Sequence, residues 1–257
     1  MKVAAVIDRG RGAPIVLIPG IQGRWEWMLP AVEALSASHR VLSFSLHEAD
    51  TEDLFQGFLN RMLDRAGLSA ATLVGVSLGG VIAARYAARQ PARVTSLVLA
   101  SAPSPRWEPD RRQTGYLRRP LLSAPSFALD AVSRLMPEVI ASHDTWPGRL
   151  EFLVRHLGHA VRFPASPSRM AAWVRAWKAE DLAADFARIT APTLVITGEA
   201  HLDRVVAQAS TLEYLTLISG ARHVILPHTG HIGLVSTPDA FAKLVGTFID
   251  EISRQQA

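Results

Sequence analysis

Six short runs rich in Val, Ile and Leu recur along the chain: PIVLIPG (14–20), RVLSFSL (40–46), ATLVGVS (71–77), RVTSLVLAS (93–101), APTLVITG (191–198) and RHVILPHTG (222–230). They lack the regular polar alternation of a half-solvated strand, so they fit strands covered on both faces, as in a parallel sheet. Helical patterns separate most of them. Asp50 reads as an N-cap followed by Glu52 and Asp53, and Leu54, Phe55, Phe58, Leu59, Met62 and Leu63 then form a helical stripe that Gly67 ends. Val81 to Arg89, stopped by Pro91, and Ala240 to Ile252 read as further helices. Strand and helix in alternation predict an α/β fold with a doubly wound, mostly parallel sheet.

The alternation breaks between Pro103 and Arg188, where prolines at 103, 105, 109, 120, 125, 137, 147, 164 and 167 punctuate helical pieces such as Phe127–Leu135, Leu150–His159 and Met170–Lys178. The sheet pattern resumes at Thr193. The chain therefore divides into a core, 1–102 with 189–257, and a helical insertion, 103–188.

Composition removes several function classes. With 257 residues, 49% hydrophobic and 19% charged, the chain has enough apolar surface to offset the entropy of ordering. Its net charge is +4, and the one basic cluster, Arg106 to Arg119, is interrupted by Glu108 and Asp110, so no nucleic-acid partner is expected. The absence of cysteine excludes disulfides and thiolate sites. Val3 to Ile7 is too short for the core of a signal peptide, which predicts a cytoplasmic protein. Ala66 to Ala84 is a 19-residue uncharged stretch, but its glycines at 67, 75, 79 and 80 fit a strand, a turn and a helix start better than a membrane span. Neither a phosphate-binding G-x-x-x-x-G-K-[ST] loop nor Rossmann glycine spacing is present, so no metal, nucleotide or flavin cofactor is expected.

Gly75-Val76-Ser77-Leu78-Gly79-Gly80 sits between a predicted strand and a predicted helix. A serine at so sharp a turn is held in strained backbone geometry, and neighbours without side chains make room for it. The helix N-terminus beside it directs amide N–H groups at any negative charge that forms there.

A serine hydroxyl needs a base to accept its proton. His231, in Thr229-Gly230-His231-Ile232-Gly233, comes after the last strand run and lies at the edge where doubly wound sheets bind ligands. His228 is its rival, and His223 reads as structural. A carboxylate must then hold the imidazole in one tautomer. The run Gly198-Glu199-Ala200-His201-Leu202-Asp203 after the next-to-last strand offers Asp203 first and Glu199 second, with a helix N-cap as the bland role for Asp203.

On PIVLIPG, the elbow GVSLGG, QPARVTSLVLASAP (90–103), APTLVITGEAHLDRVV (191–206) and PHTGHIG (227–233), the chain resembles the α/β-hydrolase superfamily over nearly its whole length. The resemblance implies Ser77 as nucleophile, Asp203 as acid and His231 as base, with the backbone N–H groups of Leu78 and Ile21 as oxyanion donors. It also implies that the insertion is a cap over the site. Three departures stand out. Pro19-Gly20 replaces the usual His-Gly, with Gln22 available to brace the loop; Asp203 lies five residues after Gly198 where three is commoner; and His47-Glu48-Ala49-Asp50 lacks the usual Asp-x-x-Gly-x-Gly.

Serine rather than aspartate at the elbow separates the chain from the haloalkane dehalogenases and epoxide hydrolases of this superfamily. The chemistry left to the serine is hydrolysis of a small carboxylic ester through an acyl-enzyme. Carbon–carbon bond hydrolysis of a vinylogous diketone and non-catalytic ligand binding are the alternatives. Trp25, Trp173 and Trp177 are candidate pocket residues with Gln22, and Trp173 and Trp177, four apart, equally suit one packed helix face.

Overall fold

The structure, a computed structural model, describes residues 6–49, 55–179 and 181–256. Seven strands form one sheet: β1 (Val6–Arg9), β2 (Pro14–Ile18), β3 (Arg40–Phe44), β4 (Ala71–Val76), β5 (Val94–Ala100), β6 (Thr193–Thr197) and β7 (Arg222–Ile225). Their order is β1-β3-β2-β4-β5-β6-β7. All neighbours run parallel except β1, which pairs antiparallel with β3. The six apolar runs are the six parallel strands. The edge strand β1 is an addition that the runs do not predict, because Asp8 and Arg9 face solvent.

Helices cover both faces. α1 (Leu29–Ser36), α2 (Gln56–Arg65) and α3 (Leu78–Arg89) come after β2, β3 and β4. Between β5 and β6 lie α4 (Arg111–Arg118), α5 (Ala124–Ser142), α6 (Trp146–Arg162), α7 (Pro167–Lys178) and α8 (Ala183–Phe186). α9 (Gln208–Leu212) and α10 (Tyr214–Leu217) precede β7, and α11 (Gly233–Ser236) and α12 (Pro238–Gln256) come after it. The predicted cap residue Asp50, with Glu52, Asp53 and Leu54, lies outside the described residues; the helix itself is described from Gln56.

The continuous apolar runs serve two cores. Ile15 and Leu17 point to α1 and α12, where they pack with Val32, Leu35, Phe241 and Val245. Val16 and Ile18 point the other way, into a cluster with Leu59, Val81 and Ile82. Period-two alternation is thus present, but both faces are apolar. Trp173 and Trp177 of α7 and Phe186 of α8 join this second cluster, so the end of the helical insertion shares the sheet's own core. Among the described residues no helix is long and apolar enough to cross a membrane.

The strand order reverses between β2 and β4, and the crevice beyond the C-terminal ends of strands at such a point is where doubly wound sheets hold ligands. Ser77 stands directly after β4.

Candidate active site

Ser77 has φ 53° and ψ −124°, a backbone conformation that side-chain-bearing residues rarely adopt. The surroundings enforce it. α3 begins at Leu78, three residues before the glycine-based prediction, because Gly79 and Gly80 are helical rather than turn residues. They are glycine for space: a Cβ on Gly79 would lie 2.3 Å from the Ile18 carbonyl oxygen, and one on Gly80 2.4 Å from the Ala102 Cβ. On the other side, Gly20 comes so near that its Cβ would stand 3.4 Å from that of Ser77. The loop after β2 therefore lies against the elbow. Among the described residues, the backbone N–H groups of Leu78 and Ile21 have no hydrogen-bond acceptor.

The end of β5 links this elbow to the histidine loop. Ser77 N–H donates to the Ala100 carbonyl at 2.9 Å, and the residue after that alanine, Ser101, directs its hydroxyl to the Gly230 carbonyl at 3.4 Å. The loops after β6 and β7 are pressed together, with Glu199 N–H donating to Thr229 O at 2.8 Å and no room for a Cβ on Gly198 or Gly230. This contact brings His231 Nδ1 to 3.3 Å from Asp203 Oδ2. The residues are 9% and 8% exposed. Asp203 divides its two oxygens: Oδ1 accepts the N–H groups of Val205 (3.0 Å) and Val206 (2.9 Å), while Oδ2 faces the imidazole. Asp203 is not a helix N-cap: the two amides belong to the loop before α9, which starts at Gln208, and the side chain is buried rather than solvent-facing. Burial opposes the charged form of Asp203, but the His231 charge, its hydrogen bond and the two amides outweigh burial and hold the carboxyl below its ordinary value. Burial also opposes the imidazolium, and there Asp203 outweighs it, so His231 is raised above the ordinary histidine range.

The rivals are occupied elsewhere. Glu199 accepts the His228 N–H at 2.7 Å, His228 is exposed, and His223 Nε2 meets the Thr197 hydroxyl at 2.8 Å. Among the described residues no hydrogen bond joins the Ser77 hydroxyl to His231. Contacts of this kind are often long before substrate binds. Nor do the described residues include a group of three His, Cys, Asp or Glu arranged to hold a metal ion.

A family model for the alpha/beta hydrolase family matches residues 15–244. The chain belongs to the alpha/beta hydrolase family. It is 30% identical to a 2-hydroxymuconate semialdehyde hydrolase from a Pseudomonas species, an alignment covering 95% of this chain and 89% of that protein. A solved hydrolase from Pseudomonas aeruginosa superposes with TM-score 0.75 at 26% identity, covering 95% and 93% of the two chains. An esterase from Exiguobacterium antarcticum gives TM-score 0.78 at 19% identity, covering 95% and 94%, a likeness of fold.

In this alpha/beta hydrolase the candidate pocket residues have unlike surroundings. The Gln22 side-chain oxygen faces Gly20, beside the elbow, 3.3 Å from where a Cβ would stand. Trp25 is half-buried against the α1/α12 core, and its indole N–H has no partner. Trp173 is 1% exposed and packs edge-on to His47 and Phe55 at ring distances of 5.6 and 6.0 Å. Trp177 stacks on Trp107 at 5.2 Å. Both α7 indoles are packing residues in this structure. All five arginines of the cluster, 106, 111, 112, 118 and 119, are exposed, and Arg112 pairs with Asp130.

Sequence reading does not find Glu138. This α5 side chain is fully buried, and both its oxygens accept the Ile232 N–H, at 3.1 and 3.0 Å. It has no local signature, since its partners lie more than ninety residues away.

Proposed function

We propose that this alpha/beta hydrolase cleaves carboxylic ester bonds with Ser77 as nucleophile, His231 as general base and Asp203 as the acid that orients it. The observation that carries the reading is the buried His231–Asp203 contact, 3.3 Å long, at the sheet edge that also holds the strained Ser77. With Asp203 ionised, the imidazole keeps its proton on Nδ1 and turns the Nε2 lone pair outward. Nε2 takes the Ser77 proton as Oγ attacks the acyl carbon. The resulting oxyanion is met by the unengaged N–H groups of Leu78 and Ile21, each such donor contributing about 3–4 kcal/mol to the transition state. His231 then protonates the leaving alkoxide, leaving an acyl-Ser77. Water that gives its proton to His231 attacks the acyl group, and collapse releases the carboxylic acid and restores Ser77.

The helices between β5 and β6 serve as the cap in this reading. They reach the core through the Trp27 indole, which donates to Phe163 O at 2.9 Å, and through Glu138. Gln22 and Trp25 are proposed for the substrate wall. Incubation with p-nitrophenyl butyrate is expected to give a burst of nitrophenol, and a fluorophosphonate is expected to label Ser77, located by peptide mass spectrometry. Folded protein that shows neither turnover nor label overturns the reading.

A second reading, hydrolysis of a carbon–carbon bond in a vinylogous diketone, is favoured by one observation: the 30% identical relative is a 2-hydroxymuconate semialdehyde hydrolase. Weak ester turnover beside strong turnover of such a ketone would select it.

A further inference from the structure

A carboxylate buried without a cation is costly, and a helix contact does not require one. Glu138 is 0% exposed, and among the described residues no Lys or Arg pairs with it. Its hydrogen bonds are directed instead at the residues that flank His231. Oε1 and Oε2 both accept the Ile232 N–H, the Gly230 N–H is also directed at the carboxylate, and Oε1 accepts the Ser236 hydroxyl at 3.1 Å. The residue after the histidine is therefore hydrogen-bonded to a side chain of the helical insertion, and the amide before it acts on the same carboxylate, while the imidazole ring is tied to Asp203 of the core.

We propose that Glu138 is a positioning residue for the histidine: it fixes the His231 loop from the insertion and places a second carboxylate close to the imidazolium that forms when Ser77 gives up its proton. This rests on the reading of His231 as general base. Among the described residues, Asp203 and Glu138 are the charged groups that act on the imidazole, and His231 is the charged group that acts on Glu138. Burial raises the Glu138 carboxyl, while the Ile232 and Gly230 amides, the His231 charge and the Ser236 hydroxyl work against that rise. Protonation of His231 therefore favours the ionised form of Glu138, and ionised Glu138 favours protonated His231. As the base charges during acylation, the two groups support each other.

The test compares wild type with Glu138→Gln, which keeps the shape and removes the charge. The first readout is the imidazole titration of His231 by nitrogen-15 NMR, which needs no turnover. Its midpoint is expected to fall in Glu138→Gln. The second is the pH profile of kcat/KM on p-nitrophenyl butyrate, whose acid limb is expected to move to lower pH, with plateau kcat down about tenfold and KM within twofold. If Glu138→Gln fails to fold, Glu138→Asp, which keeps the charge one methylene further back, is expected to lie between the two. An unchanged midpoint and an unchanged limb in a folded variant, with only Tm lowered, assign Glu138 to structure alone and overturn the proposal. A lowered midpoint in a protein whose wild type neither hydrolyses ester nor labels at Ser77 upholds the Glu138 coupling and sinks the hydrolase reading instead.

Discussion

His231 Nδ1 faces Asp203 Oδ2 at 3.3 Å, whereas Glu199, four residues before Asp203, is engaged by the His228 amide. The two acids are thereby separable by substitution. Asp203→Asn keeps an oxygen for the Val205 and Val206 amides but loses the charge that supports imidazolium, and kcat is expected to fall about 10³- to 10⁴-fold with Tm little changed. Asp203→Ala loses the amide contacts as well and is expected to lower both. Glu199→Gln is expected to retain near-wild-type kcat. Initial rates and thermal melts of the three variants decide, and a collapse of kcat in Glu199→Gln alone would transfer the role of acid to Glu199.

The same contact predicts opposite pH trends for activity and stability. Asp203, with Glu138, holds His231 above its ordinary 6.5 against the effect of burial. The base must be neutral, so kcat/KM is expected to rise with pH through a midpoint above 6.5. A group raised by folding contributes stability that is complete below its unfolded value and lost as pH rises through the folded one. Asp203 is lowered, so its contribution is present above 3.8 and disappears as pH falls through its depressed value. Tm is therefore expected to peak between those ranges and to decline over the interval in which activity climbs. Rate profiles and melts on one buffer series check this, and a kinetic midpoint below 6.5 would contradict it.

Much of this architecture is legible in the sequence for a specific reason. Five of the six parallel strands are largely buried on both faces, so their apolar runs are continuous. The run at 222–230 forms the edge strand β7, whose residues are half-buried or exposed because, among the described residues, no strand flanks it on its outer side. The elbow is marked by residues that sterics require next to one another. Exposed β1 lacks that signal: three of its four residues are solvated. The helix at Leu78 is hidden because Gly79 and Gly80 read as a turn until the Ile18 carbonyl and Ala102 are seen against them. Asp203 outranks Glu199 in the sequence, but their separate partners emerge only when the β6 and β7 loops meet. Glu138 is invisible locally, because it lies beyond the predicted piece Phe127–Leu135 and just after Pro137, although α5 continues through that proline to Ser142, and an isolated glutamate reads as a solvated residue.

Glycines in this chain are expected to respond in opposite directions to the same substitution. Gly79→Ala forces a methyl to within 2.3 Å of a backbone oxygen beneath the elbow, which is expected to cost about 1–3 kcal/mol or more and to depress kcat by shifting Ser77. Gly115 in α4 and Gly158 in α6 meet nothing within 4 Å, and neither has positive φ. Alanine at either is expected to stabilise by about 0.5–1 kcal/mol. Urea unfolding midpoints measure all three, and a Gly79→Ala protein as stable and active as wild type would contradict the steric account of the elbow.

Trp173 and Trp177 lie four apart on α7, yet their loss is expected to have different consequences. The Trp173 ring presses on Gly23, where a Cβ would come within 2.3 Å of its Cη2, and Gly23 N–H donates to Gly20 O at 2.9 Å. That turn carries Ile21. Trp173→Ala is expected to cost about 3–5 kcal/mol through the cavity it leaves and also to lower kcat in the folded fraction, because the Ile21 amide loses its support. Trp177, stacked on Trp107 and away from this turn, is expected to lose comparable stability on substitution by alanine with kcat nearly unchanged. Denaturant melts separate the stability effects, and rates at low temperature, corrected for the fraction folded, separate the catalytic ones. If Trp173→Ala instead raised KM without loss of stability, the indole would be a wall of the substrate pocket and not a brace for the loop.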